Sequence, residues 1–291
     1  MSGAFVVFDH CRAAVLAAGL LAGLALVGCR EESNPPAAPH ESPARVTPAE
    51  WPIFRGGPAM TGQATGHGLR KLTLRWSIDV GGEAATSAVM SGRRVYFGTG
   101  DGDVRAVDLA DGQPVWSVLP GGEDAPAIEA PPLVLDGVIY VGGADGTVYA
   151  LDADDGGQLW RHATDDKVVA SANWWDDAEG RRRIVVGSHD NHLYCLDAAT
   201  GEPVWTIKSD SYVLGAASLR EGVAAFGSCD GYLRLLDVAT GDTLHQVEFA
   251  EPVVATPAIG EGVLVIGHLG EEVACIGLAD GQVKWTYTLG E

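Results

Sequence analysis

Apolar residues along the chain fall in short runs, separated by turns rich in Gly, Asp and Asn, and the runs recur in a fixed order. The clearest copy is Val186-Gly-Ser-His-Asp-Asn-His-Leu-Tyr-Cys-Leu-Asp-Ala-Ala-Thr-Gly-Glu-Pro-Val-Trp205. A Gly opens it, a polar turn follows, and an apolar run leads to Asp. A small-residue turn then ends in Gly, with a Trp shortly after. The opening Gly and the closing ring form the pairs Gly98/Trp116, Gly142/Trp160, Gly187/Trp205, Gly227/His245 and Gly267/Trp285, each 18 residues apart. Equal spacing in five copies marks an internal repeat.

Each unit is about 40 to 45 residues long. In the fifth, residues 253–259, 263–266, 272–276 and 282–288 read as strands, with Gly- and Asp-rich turns between them. Such turns suit antiparallel hairpins. Four antiparallel strands at this period predict a β-propeller blade. The unit is too long for a leucine-rich repeat and lacks the period of the helical repeats. The predicted fold class is all-β: a β-propeller of four-stranded antiparallel blades, five complete repeats, and an extra N-terminal strand over 72–80 that carries Trp76.

The recurring residues have structural chemistry. Asp108, Asp152, Asp197 and Asp237 stand four residues before Gly112, Gly156, Gly201 and Gly241. A carboxylate there accepts backbone N–H bonds across the turn, and Gly permits positive φ. Trp116, Trp160, Trp205 and Trp285 lie beyond the turn, each placed to pack on the next blade and to donate its indole N–H. His245 and Gly277 depart from the pattern once each, so weaker packing is expected there.

Ala150-Leu-Asp-Ala-Asp-Asp-Gly-Gly-Gln-Leu-Trp160 and Cys195-Leu-Asp-Ala-Ala-Thr-Gly-Glu-Pro-Val-Trp205 resemble the A-x-D-x-x-T-G-x-x-x-W motif of the quinoprotein-like propellers. The resemblance covers about residues 51 to 291. It implies one of two groups: dehydrogenases that hold pyrroloquinoline quinone, or non-catalytic lipoproteins of the BamB type. The motif identifies the fold and leaves the activity open, because function lies in sites grafted on the fold. Members usually have seven or eight blades. Five units here leave two alternatives: a chain truncated at Glu291, or a smaller or open ring. An open arc exposes strand edges and favours dimerisation or aggregation.

Composition adds direction. Of 291 residues, 46% are hydrophobic, enough for a core, and the formal net charge is -20. Nucleic-acid binding needs clustered Lys and Arg, so that partner is excluded. Residues 1–29 read as a lipoprotein signal peptide: an apolar run over 13–28 is of signal-core length, and it ends in Leu26-Val27-Gly28-Cys29. This resembles a bacterial lipobox and makes Cys29 the lipidation residue. By resemblance to lipoprotein sorting in Gram-negative bacteria, Arg30 in place of Asp after the Cys implies the outer membrane, facing the periplasm. Residues 30–50 hold five prolines among small and charged residues and read as a disordered tether. The propeller domain then spans 51–291, opening with Trp51 and Phe54 as a plug or lead-in.

Candidate chemistry is sparse. The quinoprotein dehydrogenases that this chain resembles use adjacent cysteines, a Glu/Asn/Asp set for Ca²⁺ and an Asp base. Here Cys11, Cys29, Cys195, Cys229 and Cys275 are all separate, and Cys195 and Cys275 share the repeat position of Ala106 and Ala150. They read as buried small hydrophobes. No zinc spacing or nucleophile elbow occurs. The segment from Gly98 to Gly102 leads into a strand and lacks the helix of a phosphate loop. Asp101, Asp145, Asp190 and Asp230 recur in these turns and read as turn chemistry. Two insertions stand out. Residues 120–129 lengthen one link on the ligand face, and 174–183 lengthen a hairpin on the opposite face. Trp174, Trp175, Arg181, Arg182 and Arg183 have hot-spot composition and are the partner-binding candidates. The expected function is a non-catalytic, lipid-anchored scaffold for protein partners at the bacterial outer membrane, with the BamB-like role in β-barrel assembly that the resemblance implies, and no cofactor. The alternative is a pyrroloquinoline-quinone and Ca²⁺ dehydrogenase, or a small-ligand binder, using the central channel. Small residues such as Ala85, Thr86, Ser87, Ala255 and Thr256 would line that channel, with Glu129, Lys167 and Tyr212 at its mouth.

Overall fold

The computed structural model describes residues 50–64, 73–81, 86–123, 126–288 and 290. The expected signal peptide with Cys29, nearly all of the expected tether, and Ala85 lie outside the described residues. Five four-stranded antiparallel sheets follow one another over residues 89–118, 133–163, 173–208, 218–248 and 258–288. In every sheet the strands run in sequence order from the innermost to the outermost, as a propeller blade requires. Among the described residues, helix is limited to a short 3-10 turn at Phe54–Gly56. None is long and apolar enough to cross a membrane.

The expected strands are present, with shifted bounds. In the fifth blade the innermost strand is only Ala258–Ile259, while Val263–His268, Glu272–Gly277 and Val283–Thr288 match the sequence pattern closely. The described part of the extra strand, residues 73–80, contributes no named strand to the five sheets, though Asp79 within it forms a single β-bridge. It nonetheless puts Trp76 where the repeat needs it.

The third strands are buried along most of their length, as in Thr147–Asp152 and Tyr232–Asp237, because each blade is covered on both faces. A bulge recurs between the third and fourth strands of every blade, after Ala106, Ala150, Cys195, Leu235 and Cys275. Each of these residues pairs directly with the blade's ring position, Trp116, Trp160, Trp205, His245 or Trp285. The bulge turns that ring out of the sheet toward the next blade.

Two joints hold neighbouring blades. In the first, a ring lies over the turn Gly of the next blade and donates to a carbonyl in that turn. Trp76 Nε1 donates to Leu109 O at 3.0 Å, Trp116 to Ala153 O at 3.1 Å, Trp160 to Ala198 O at 2.9 Å and Trp205 to Val238 O at 3.0 Å. His245 keeps the arrangement: its Nε2 is 3.1 Å from Ala279 O and its ring lies against Gly281. The expected weak site therefore retains both contacts. In the second joint, the Gly that opens the repeat lets the incoming link approach. A Cβ on Gly98, Gly142, Gly187 or Gly227 would stand 2.3, 2.3, 2.5 or 2.4 Å from Ile128, Val168, Val213 or Val253. The backbone N–H of each of those four residues bonds the turn just beyond the Gly, as Val168 N to Gly143 O at 3.1 Å.

The turn carboxylates act as the motif predicts. Asp108, Asp152, Asp197 and Asp237 each accept from the N–H two residues on, at 2.7 to 3.0 Å. Trp160→Phe keeps the ring and loses the bond to Ala198 O, so a loss of about 1 kcal/mol is expected. Gly201→Ala adds a Cβ 2.6 Å from the Trp160 ring at a φ of +75°. Its cost should be several times larger, and urea unfolding of the two variants checks the order.

Candidate functional site

Three places bear on function: the axis, the face carrying the blade-to-blade links, and the long hairpin of the third blade.

The axis is occupied by the chain itself. Inner strands of a propeller expose one edge of backbone N–H and C=O groups toward the centre, and those groups need partners. Residues 51–60 supply them. Trp51 pairs with Met90 in the first blade, through N–H bonds of 2.8 and 2.9 Å in the two directions. Pro52 O accepts from Val134 N in the second blade, Pro58 O from Leu219 N in the fourth, and Ala59 O from Ile259 N in the fifth. In the third blade, Asn173 is wholly buried and its Nδ2 donates to Pro58 O and Ala217 O, both at 2.8 Å. Arg55 Nη1 donates to Thr256 O at 3.2 Å. Ile53 and Met60 are wholly buried. This segment is the plug anticipated from Trp51 and Phe54, and it touches all five blades.

That arrangement bears on the channel residues of the alternative reading. Thr256 accepts from Arg55 through its carbonyl and from Ala216 N through its hydroxyl, so it faces protein. Thr86 is buried and bonds Gly98. Residues 51–60 take up inner-edge groups of all five blades. Among the described residues there is also no group of three or more His, Cys, Asp or Glu placed to hold a metal ion.

On the link face, the structure brings two of the three mouth candidates together. Lys167 O accepts from His189 N at 2.8 Å, and the Tyr212 ring stacks on the His189 ring at 5.1 Å and 18°. Tyr212 O accepts from Cys229 N. His189, which the sequence offers only as one scattered histidine, is the residue that joins the pair. Its Nε2 is buried without a hydrogen-bond partner among the described residues. Glu129 is exposed, and its carboxylate has no hydrogen bond or ion pair among the described residues. The recurring turn acids work locally: Asp145 accepts from Thr147 N and from Tyr149, Asp190 from His192 N and Tyr194, and Asp230 from Tyr232 N and Arg234. In the first blade Asp103, not Asp101, takes this part, binding Thr99, Arg105 and Ser117. A groove of about 320 Å³ lies beside it, between Asp101, Arg105, Ser117, Leu119 and Glu123, away from the axis.

The long hairpin lies between Asn173–Asp176 and Arg182–Gly187. Its aromatic residues turn inward: Trp174 packs on a core cluster with Ile184 and Leu196, and Trp175 on one with Val185 and Cys195. The arginines meet acids of the same chain. Asp177 accepts from Arg181 Nε at 2.8 Å, Arg183 Nη2 at 2.7 Å and the Arg181 N–H at 2.8 Å. Arg183 also reaches Asp197, and Arg182 bridges Asp176 and Asp136. The Arg183 side chain is only 6% exposed, against 60% for Arg181. Arg181 is thus the cation of this set that remains open to a partner.

Burial pushes the Asp177 carboxyl pKa up, but the Arg181 backbone N–H and the Arg183 and Arg181 guanidinium groups outweigh it and pull the value down to about 2. A carboxyl held below its unfolded value of about 4 stabilises the fold above that pH and loses the effect as pH falls toward 2. Asp177→Asn should therefore lower the urea midpoint at pH 7 and flatten its decline between about pH 4 and pH 2, relative to the parent chain.

The sequence matches the family of outer membrane protein assembly factor BamB over residues 71–181 and 144–291. The chain belongs to the BamB family. Among solved structures it is similar to BamB from Moraxella catarrhalis, with a TM-score of 0.63, 22% identity, and coverage of 73% of this chain and 64% of that one. It therefore spans less than two thirds of that BamB's length. It is also similar to the computationally designed Ika8 protein, at 0.61 and 18% identity over 71% of this chain and 62% of that one. A third likeness is to quinohemoprotein alcohol dehydrogenase from Comamonas testosteroni, at 0.70 and 13% identity over 83% and 49%. At these identities the structures show a common fold. No curated protein sequence matches significantly.

Proposed function

We propose that this protein is a non-catalytic, lipid-anchored scaffold on the periplasmic side of the outer membrane, where it docks protein partners during β-barrel assembly. The observation that carries the reading is the filled axis. Residues 51–60 take the inner-edge hydrogen bonds of the blades, so the surfaces left for recognition are the two loop faces and the blade edges. Membership of the BamB family and the Leu26-Val27-Gly28-Cys29 sequence support the location and the anchor at Cys29. Arg181 on one face and Lys167 with Tyr212 on the other are the exposed groups offered to partners.

The anchored chain carrying a photo-reactive side chain in place of Arg181 or of Tyr212 should be cross-linked in its own envelope and the adducts identified by mass spectrometry. A barrel-assembly protein or a nascent barrel captured from one face, and not the other, is the expected result. Adducts to neither from both positions would overturn the reading.

The likeness to a quinohemoprotein dehydrogenase motivates one direct check of the alternative. Purified protein mixed with Ca²⁺ and pyrroloquinoline quinone should oxidise no alcohol or sugar in a dye-linked assay. Turnover above a boiled control would restore the dehydrogenase.

A further inference from the structure

The plug over residues 51–60 meets the blades mainly through its own backbone. Trp51 donates its N–H to Met90 O and accepts from Met90 N through its carbonyl. The carbonyls of Pro52, Pro58 and Ala59 accept from the N–H groups of Val134, Leu219 and Ile259. The same residues are held in a strained shape. Arg55 and Met60 carry side chains at φ of 58° and 53°, in the left-handed region. Gly56, at a φ of +80°, lies so close to the Trp51 ring that a Cβ there would stand 2.8 Å from it. Burial works in the opposite direction, since Ile53 and Met60 are wholly enclosed. The plug forms no strand of any of the five sheets, so their internal ladders do not depend on it.

We propose that the plug is a displaceable strap over a strand-acceptor site: the inner edge of the first blade at Val89–Ser91, which takes an extended segment of a partner polypeptide when the strap lets go. The bridge between Trp51 and Met90 is antiparallel and uses both backbone groups of Met90. It is one rung of the ladder that such a segment forms. Recognition through backbone selects an extended chain more than a particular sequence. This site goes beyond the loop faces assigned above, because it is closed in the resting protein. Release breaks no ladder inside a blade and relieves the two left-handed residues, but it costs the burial of Ile53 and Met60. The closed form is therefore the major one and the open form a minor one. The apparent affinity for a segment is its affinity for the open form, reduced by the fraction open. The N–H groups of Met90, Val134, Leu219 and Ile259 lose their acceptors in the same event.

The test uses the full chain in mild detergent and two readouts. Hydrogen exchange follows the amides of Met90, Val134, Leu219 and Ile259. Fluorescence anisotropy follows a labelled peptide of alternating Thr and Val, beside a control peptide N-methylated at alternate residues so that it cannot donate to Met90 O. Gly56→Ala strains the strap and Ile53→Ala removes buried surface from it, and neither residue belongs to the acceptor edge. The two weaken the strap by different means, so a fold lost in one leaves the other to be read. In the parent the four amides should exchange at one common rate, ahead of the turn amides of Gly156, Gly201 and Gly241. Each variant should speed the four at least about tenfold and tighten the peptide by the same factor, until the strap is fully open. The N-methylated peptide should not bind. Four amides that exchange only with the blade cores, or at unrelated rates, overturn the strap. Faster exchange with no peptide bound overturns the acceptor site, and so does a peptide held equally by parent and variants, or no better than its N-methylated control.

Discussion

An aromatic ring laid over a glycine and bonded to a carbonyl is the contact on which the rest of the structure depends. Each blade by itself has two apolar faces, and a four-stranded sheet of this size buries neither alone. Stacking blades solves this only if the spacing between sheets is set. The Trp does that: the bulge before it turns the ring outward, the glycine leaves room for it, and the indole N–H satisfies a carbonyl that the turn would otherwise leave bare. A side chain at that glycine would clash and would also be held at positive φ. Histidine at position 245 keeps the geometry because an imidazole has both a flat ring and an N–H at its tip.

The inner edges pose a second constraint, and it shapes the functional reading. The innermost strands cannot pair with one another across the axis, yet their outward-facing partners use only one edge. The polypeptide itself satisfies the other edge with the carbonyls of Pro52, Pro58 and Ala59 and the two-way pair of Trp51 with Met90. Two of the carbonyls belong to prolines, which have no N–H to leave unpaired. A centre closed in this way offers loops and edges to other molecules, in keeping with a family defined by an assembly factor.

The repeat is legible in sequence because everything it needs lies within one unit: the ring, the bulge partner, the turn Asp and the turn Gly are all close neighbours along the chain. The route of residues 51–60 is not, since Asn173 meets Pro58 across 115 positions and Arg55 meets Thr256 across 201. Backbone carbonyls carry most of those bonds, and a carbonyl leaves no mark on side-chain identity. The candidate sites divide on the same line. Lys167 and Tyr212 can be placed at one face by counting repeats, but the histidine between them gains its role only from the approach of a neighbouring blade. Trp174, Trp175 and Arg183 have the composition of an exposed contact and lie mostly inside, because composition says nothing about which way a hairpin leans.

The plug also fixes an order of events. Its last bond to a blade joins Ala59 to Ile259, so it cannot be complete until the fifth blade has formed. The residues that begin the domain are made first and settle last. Until then the inner edges of the finished blades stay open, each a strand edge able to take up any extended segment that reaches it. Closing loops of that length is slow compared with forming a hairpin. A blade can thus assemble from its own neighbours in sequence, while the centre waits for the whole arc.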